Sequence, residues 1–391
     1  MVAPEAVEGI VAGMTNPILR SLSPLALLLA SCGSSISAET ADAPDFSVTD
    51  VATFDEPWAM TFLPGTDTAL VTEKKGKLKL WRIGDSTARD VPGAPAVAYG
   101  GQGGFGDVVA APDFATSGII YLSWAEAGEG DTRGAVVGRA KLVTGATPHL
   151  EGLSVIWRQF PKVSGKGHYS HRMAFSPDGK YLFVTSGDRQ KFTPAQDLEG
   201  NLGKVVRLLP DGTPAPGNPL AAKGGIAAQI WSYGHRNLLG IAFSPDGHLW
   251  DIEHGPAGGD EINLIRPGLN YGWPLVSDGD HYDGKPIPRN ATRPDLAQPA
   301  ISWNPVIAPG NMIFYTGKAF PQWQGQALIA ALGSGGIVRV AVSADTGGTA
   351  KELGRIDLGN RIREIEQSPD GTIYVLEDGE GARLRHITPK R

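Results

Sequence analysis

A single cysteine, Cys32, occurs in the 391 residues, so no disulfide within the chain can staple the fold, which must rest on its core. The sequence also lacks any block of lysine and arginine, and its formal charge is −6. The basic stripe of a nucleic-acid binder is therefore missing. No apolar run reaches the ~20 residues of a membrane-spanning helix. Cys-x-x-Cys-His is absent, which excludes a covalently attached haem. Long helical patterns are scarce too, because 52 glycines and 30 prolines favour short strands joined by turns.

What is present begins near the N-terminus. An apolar run over residues 22–30 follows Arg20 and ends at Ser31-Cys32-Gly33. Nine residues are too few to cross a bilayer but fit the apolar centre of an export signal. Leu29-Ala30-Ser31-Cys32 also resembles the bacterial lipobox, in which the cysteine becomes the acylated first residue. The expectation is a lipoprotein-type signal over 1–31 with Met14 as the natural start, a flexible Ser/Ala/Asp/Pro tether over 32–45, and a folded domain over 46–391. That places the protein in the periplasm or cell envelope, held to the membrane through Cys32. A plain signal peptide with an incidental cysteine is the alternative.

An internal repeat sets the architecture. Phe175-Ser176-Pro177-Asp178-Gly179 recurs as Phe243-Ser244-Pro245-Asp246-Gly247 and as Gln367-Ser368-Pro369-Asp370-Gly371, each followed by an apolar strand. Strand, Pro-Asp-Gly turn and strand make a β-hairpin. Weaker copies surround Pro64 and Pro112. The prolines at 64, 112, 177, 245 and 369 leave one double-length gap, which the segment 320–331 can fill. Six units of about sixty residues predict an all-β, six-bladed β-propeller with four-stranded antiparallel blades. A pair of β-sandwiches accounts less well for so regular a repeat.

Polar clusters fall on the loops of this ring. Gly234-His235-Arg236-Asn237, Glu253-His254-Gly255-Pro256, Asp260-Glu261 and Asn270-Tyr271-Gly272-Trp273-Pro274 crowd into about forty residues. Backbone carbonyls freed in a Gly-Pro turn beside carboxylates are the oxygen chemistry Ca²⁺ prefers. Arg236 adds a planar donor fork for a carboxylate or quinone oxygen. Upstream, a glycine-rich loop (100–106) carries Gln102, and the segment 166–172 carries His168, His171 and Arg172. Asp188 follows a strand that would bring it to the same rim. Arg361 and Arg363 alternate along a strand, which aims both guanidinium groups to one side. Such a pair implies an anion with several carboxylates. A Gly/Pro-rich rim with merely solvated charges is the plainer alternative.

Together these motifs resemble the soluble quinoprotein sugar dehydrogenases of the glucose/sorbosone dehydrogenase family, which use pyrroloquinoline quinone (PQQ). The resemblance runs from about residue 51 to 389. Its most specific pieces are Gly-Gln-Gly-Gly (101–104), His-x-x-x-Arg (168–172), Tyr-Gly-His-Arg-Asn (233–237), Glu-His-Gly-Pro (253–256), Gly-Asp-Glu-Ile-Asn (259–263), Asn-Tyr-Gly-Trp-Pro (270–274) and Arg-Ile-Arg (361–363). It implies an exported enzyme that oxidises the C1 hydroxyl of aldose sugars to lactones by hydride transfer to Ca²⁺-bound PQQ. His168 would be the general base, oriented by Asp188, with Arg236 on the quinone oxygens. Gln102, Asn237, Tyr282, Ser334, Arg361 and Arg363 would bind the cofactor. Gly255 and Pro256 would hold its Ca²⁺ through their carbonyls, and Glu261 and Tyr271 a second, structural Ca²⁺.

Two positions depart from the family pattern. His171 stands where the pattern His-x-x-Gly-Arg has glycine, and Gly333-Ser334-Gly335-Gly336 stands where a cofactor-contacting lysine is usual. A Ca²⁺-dependent propeller lactonase is the competing enzyme reading, although it has no need of three converging arginines. A non-catalytic envelope-binding propeller is the third, and it predicts an apolar rim. Neither the sugar nor the electron acceptor is encoded in recognisable form.

Overall fold

The computed structural model describes residues 45–390. The expected signal segment (1–31) and Cys32 lie outside the described residues, as does the tether except for Asp45. The described chain forms six four-stranded antiparallel sheets. In the first five blades the strands follow one another outward in chain order. The innermost strands are Pro57–Phe62, Phe105–Ala110, Ser170–Phe175, Leu238–Phe243, Pro309–Phe314 and Ile362–Gln367. Each contacts the next, and the sixth contacts the first, so the ring closes. The six-bladed propeller expected from the repeat is the observed fold.

Closure of the last blade joins the two ends of the domain. Phe46–Phe54 supplies its outermost strand and pairs antiparallel with Ala382–Pro389, from Phe46 opposite Pro389 to Phe54 opposite Ala382. A closed ring shields the strand edges that an open sheet would present. Apolar residues of neighbouring blades fill six wedges between them. Trp58 and Leu70 of the first blade meet Val108 and Leu122 of the second, and Trp250 and Ile252 of the fourth meet Met312 and Ile329 of the fifth.

The repeated Ser-Pro-Asp-Gly turns have one local chemistry. The Gly179, Gly247 and Gly371 N–H groups donate to the Ser176, Ser244 and Ser368 carbonyls at 2.7, 2.8 and 2.9 Å. Each serine hydroxyl also bonds the aspartate two residues on. These glycines hold φ of 72°, 85° and 84°, a left-handed conformation that favours glycine. These turns join the first strand to the second in the third, fourth and sixth blades and mark one mouth of the ring. The opposite mouth is built from loops that lead into the innermost strands and loops that leave the second strands. The polar clusters lie there.

Candidate active site

His168, at the end of the 159–169 loop, and Asp188, just past the second strand Leu182–Ser186, meet at this mouth. Nδ1 of His168 lies 2.7 Å from Oδ1 of Asp188. The carboxylate also accepts Gln190 N–H at 2.8 Å and Trp273 Nε1–H at 2.8 Å, and Asp188 is fully buried. Burial pushes its pKa up, but the His168 contact and the N–H donors outweigh that and leave it lowered. An ionised Asp188 accepts a hydrogen bond from His168 Nδ1–H, so the lone pair sits on Nε2. Burial lowers the pKa of His168; the bond to Asp188 opposes this and the charge of Arg236 adds to it. The imidazole is neutral near pH 7 and has a free basic nitrogen.

Arg236 is tied to the same pair through the backbone, its carbonyl accepting Asp188 N–H at 2.8 Å. Its own N–H donates to Glu253 Oε2 at 2.6 Å. Nη1 donates to the His254 carbonyl at 3.0 Å and Nη2 to the Tyr282 hydroxyl at 3.3 Å. Nε is buried without a partner. A buried guanidinium donor left unpaired calls for an acceptor the protein does not supply.

Next to this centre lies a cavity of about 210 Å³, lined by Gln102, Asn237, Arg361, Arg363, Lys74 and His171, among others. Gln102 Oε1 accepts the His168 N–H at 2.6 Å, and Asn237 Oδ1 accepts the Ser170 hydroxyl at 3.2 Å. Arg361 and Arg363 converge as expected, but on a protein group: both Nε atoms donate to Asp378, at 3.1 and 3.0 Å. One of the two positive charges is thus balanced internally. With Lys74 the wall keeps a net positive, donor-rich character. Tyr282 stands at the outer rim, 77% exposed. Ser334 is half-buried and is not part of the cavity wall; Leu332 occupies the wall there.

The proposed cation positions are mixed. Among the described residues, neither the Gly255 nor the Pro256 carbonyl accepts a hydrogen bond, so both are available to a hard cation. Asp260 shapes that turn instead, accepting Gly255 N–H at 2.9 Å and Ala308 N–H at 2.7 Å. Glu261 lines a void of about 20 Å³ with Glu253, Tyr271 and Ser277, room for one ion or water. Burial beside Glu253 holds the Glu261 carboxyl well above its usual range. The Tyr271 hydroxyl is already committed, donating to the Leu264 carbonyl at 2.6 Å and accepting Arg266 N–H at 2.9 Å. Only its backbone carbonyl is free for a metal.

Several residues of the site share one place in their blades. Lys74, Asp188, His254 and Asp378 each lie within two residues of the end of a second strand, respectively Thr68–Glu73, Leu182–Ser186, Leu249–Glu253 and Ile373–Glu377. Lys74 and Asp378 stand in no quoted motif, and the repeat register was the signal that could have found them. His254 is half-buried, with Nε2 2.7 Å from the Pro309 carbonyl, and desolvation pushes its pKa down to about 3. It acts as a neutral strut under Arg236.

Comparison with known proteins agrees with this geometry. Residues 54–386 match the family described as glucose/sorbosone dehydrogenase. The aldose sugar dehydrogenase YliI of Escherichia coli is 40% identical over 342 residues, 86% of this chain and 91% of that protein. Quinoprotein glucose dehydrogenase B of Acinetobacter calcoaceticus is 27% identical over 410 residues, 85% of each chain. The crystal structure of the soluble aldose sugar dehydrogenase from E. coli in the apo-form superposes with a TM-score of 0.83 at 38% identity, covering 88% of this chain and all of that one. The chain belongs to the glucose/sorbosone dehydrogenase family of sugar-oxidising enzymes.

Proposed function

We propose that this protein oxidises the C1 hydroxyl of aldose sugars to lactones with PQQ as electron acceptor and Ca²⁺ beside it. The observation that carries the reading is the buried His168–Asp188 pair with its free Nε2, tied to an Arg236 whose Nε lacks a partner. The donor set fits the cofactor: an orphaned guanidinium N–H, the amides of Gln102 and Asn237, and Lys74, Arg361 and Arg363 for carboxylates. The unengaged carbonyls of Gly255 and Pro256 fit Ca²⁺.

Bound PQQ, polarised by Ca²⁺, supplies a two-electron acceptor for hydride. Nε2 of His168 accepts the proton of the sugar hydroxyl as C1 loses hydride, and the product is the lactone. Asp188 keeps Nδ1 protonated and the ring fixed, and it stabilises the imidazolium that forms. The Arg236 Nε–H donor stabilises negative charge on the acceptor oxygen. Trp273, bonded to Asp188, shields the pair from bulk water.

Glu253 and Glu261 are assigned a structural Ca²⁺, with the Tyr271 carbonyl as a further ligand. Export and acylation of Cys32 belong to the same proposal, supported by the sequence of residues 20–33. The test is reconstitution: purified apoprotein with PQQ and Ca²⁺ should reduce an artificial dye with aldoses and show the bound-quinone spectrum. A protein that binds PQQ but oxidises no aldose, or that hydrolyses lactones without it, sinks the reading.

A further inference from the structure

His171 occupies an unusual position. It lies on the innermost strand of the third blade, Ser170–Phe175, with φ of 59°, and its ring forms part of the 210 Å³ cavity. The imidazole stacks on Trp58 with centroids 5.1 Å apart and planes 20° apart. The close fit extends to the second blade. A methyl group on Gly106 would come within 1.9 Å of Cε1 of His171, so glycine at 106 makes room for the ring.

The hydrogen bonds favour one tautomer. Nδ1 of His171 lies 2.8 Å from the Ser123 hydroxyl oxygen, and that oxygen already accepts Asp107 N–H at 2.8 Å. The hydroxyl has one hydrogen, and among the described residues His171 is the one acceptor within its reach. Ser123 therefore donates to Nδ1, and the ring hydrogen resides on Nε2. Nε2 has no protein partner among the described residues, and it is not one of the sealed, unpaired atoms. Burial, together with the charge of Arg172, pushes the imidazole down to about 3, so the ring stays neutral. The remainder of the wall supplies cations and amides, which select an oxygen-rich, anionic occupant.

We propose that His171 is a ligand-specificity residue, whose Nε2–H donates to an oxygen of the molecule held in this cavity. The acceptor is a carbonyl or carboxylate oxygen of the cofactor, or a hydroxyl oxygen of the sugar. The inference rests on the PQQ reading above and adds a donor where the family pattern has glycine.

His171→Phe keeps an aromatic ring to stack on Trp58 and deletes the donor. If the partner is the cofactor, titration of apoprotein with PQQ at fixed Ca²⁺ shows affinity lowered about tenfold, with the sugar KM unchanged. If the partner is the sugar, the KM rises about tenfold and PQQ affinity is kept. Nitrogen NMR of ¹⁵N-histidine protein is the second measurement. The resonance pair lost in His171→Phe should report a protonated Nε2 that does not titrate between about pH 5 and 8, and Nε2 should shift when PQQ or sugar is added. If the Phe variant misfolds, through-bond assignment of the wild-type histidines identifies the same resonance pair and decides the matter. A protonated Nδ1, no Nε2 shift with either ligand, or a Phe variant with both constants unchanged would overturn the proposal. Wild-type protein that bound no PQQ would instead overturn the parent reading, and with it the ligand assigned here.

Discussion

Asp188 and Trp273 are joined by a 2.8 Å hydrogen bond from the indole N–H, although 85 residues separate them in the chain. That bond uses one carboxylate oxygen and leaves the other to His168. The histidine's orientation thus depends on a contact between the third and fourth blades.

Replacing Asp188 with asparagine removes the charge that holds Nδ1 protonated. The amide can present N–H to Nδ1 and trap the wrong tautomer. Turnover should fall about 10²–10⁴-fold, while PQQ binding measured by fluorescence titration changes little. Near wild-type turnover in the variant would remove Asp188 from the mechanism.

The pH profile follows from the lowered pKa of His168. The base works when neutral, so the rate is retained above its pKa and lost as pH falls through it. The acid limb of kcat/KM should lie below the ordinary histidine value of about 6.5. Because the Asp188 contact raises this pKa, the residual activity of Asp188→Asn should show a limb at still lower pH. A limb above 6.5 contradicts the assignment.

Lys74 already brings an ammonium to the cavity wall, where its Nζ donates to the Gly101 carbonyl at 3.2 Å. Lys74→Met should weaken PQQ binding by roughly one decade. Adding a lysine at 333 is a poor substitute, because a Cβ there would stand 2.9 Å from the Ile307 carbonyl oxygen. Calorimetric titration of Lys74→Met and Gly333→Lys tests both statements, and tighter binding by the second variant would refute the steric argument.

The void beside Glu253 and Glu261 predicts that Ca²⁺ stabilises the fold. At a hundredfold excess over Kd, one site contributes about 2.7 kcal/mol, which thermal unfolding with and without chelator reads as a rise in Tm. Glu261→Gln should lose most of that rise. An equal response in the variant places the ion elsewhere.

A second linkage lies deeper in the channel. Glu364 pairs with Arg172 at 2.6 Å, yet burial raises its carboxyl to about 7. The folded state therefore holds a proton that the unfolded state releases near 4.5. Stability should fall as pH rises through this window, by about 2–3 kcal/mol. Glu364→Gln should flatten that slope in denaturant titrations at pH 4.5 and 7, and an unchanged slope would assign it to other groups.

The fold was legible because its turns repeat. Ser-Pro-Asp-Gly keeps the same left-handed glycine at three hairpins, and the even spacing of these with the weaker copies gives the count of blades. The site was legible where a motif sits on one loop, as with Gly255 and Pro256. It was opaque where a residue acts through its place in the ring. Lys74, His254 and Asp378 are ordinary residue types whose role follows only from ending a second strand. Arg361 and Arg363 were read as free cations, because nothing local to them reveals Asp378, 15 residues beyond Arg363. Tyr271 was expected as a Ca²⁺ ligand from the family resemblance; its hydroxyl serves the Leu264 carbonyl, which leaves that proposed role to its backbone carbonyl.

The pairing of Phe46–Phe54 with Ala382–Pro389 has a consequence for biosynthesis. The first of the described strands to leave the ribosome has no partner until the last residues emerge. No nascent fragment can complete the ring, and two of the arginines in the cofactor reading, Arg361 and Arg363, come with that final blade. An assembled catalytic mouth is thus a property of the whole folded domain.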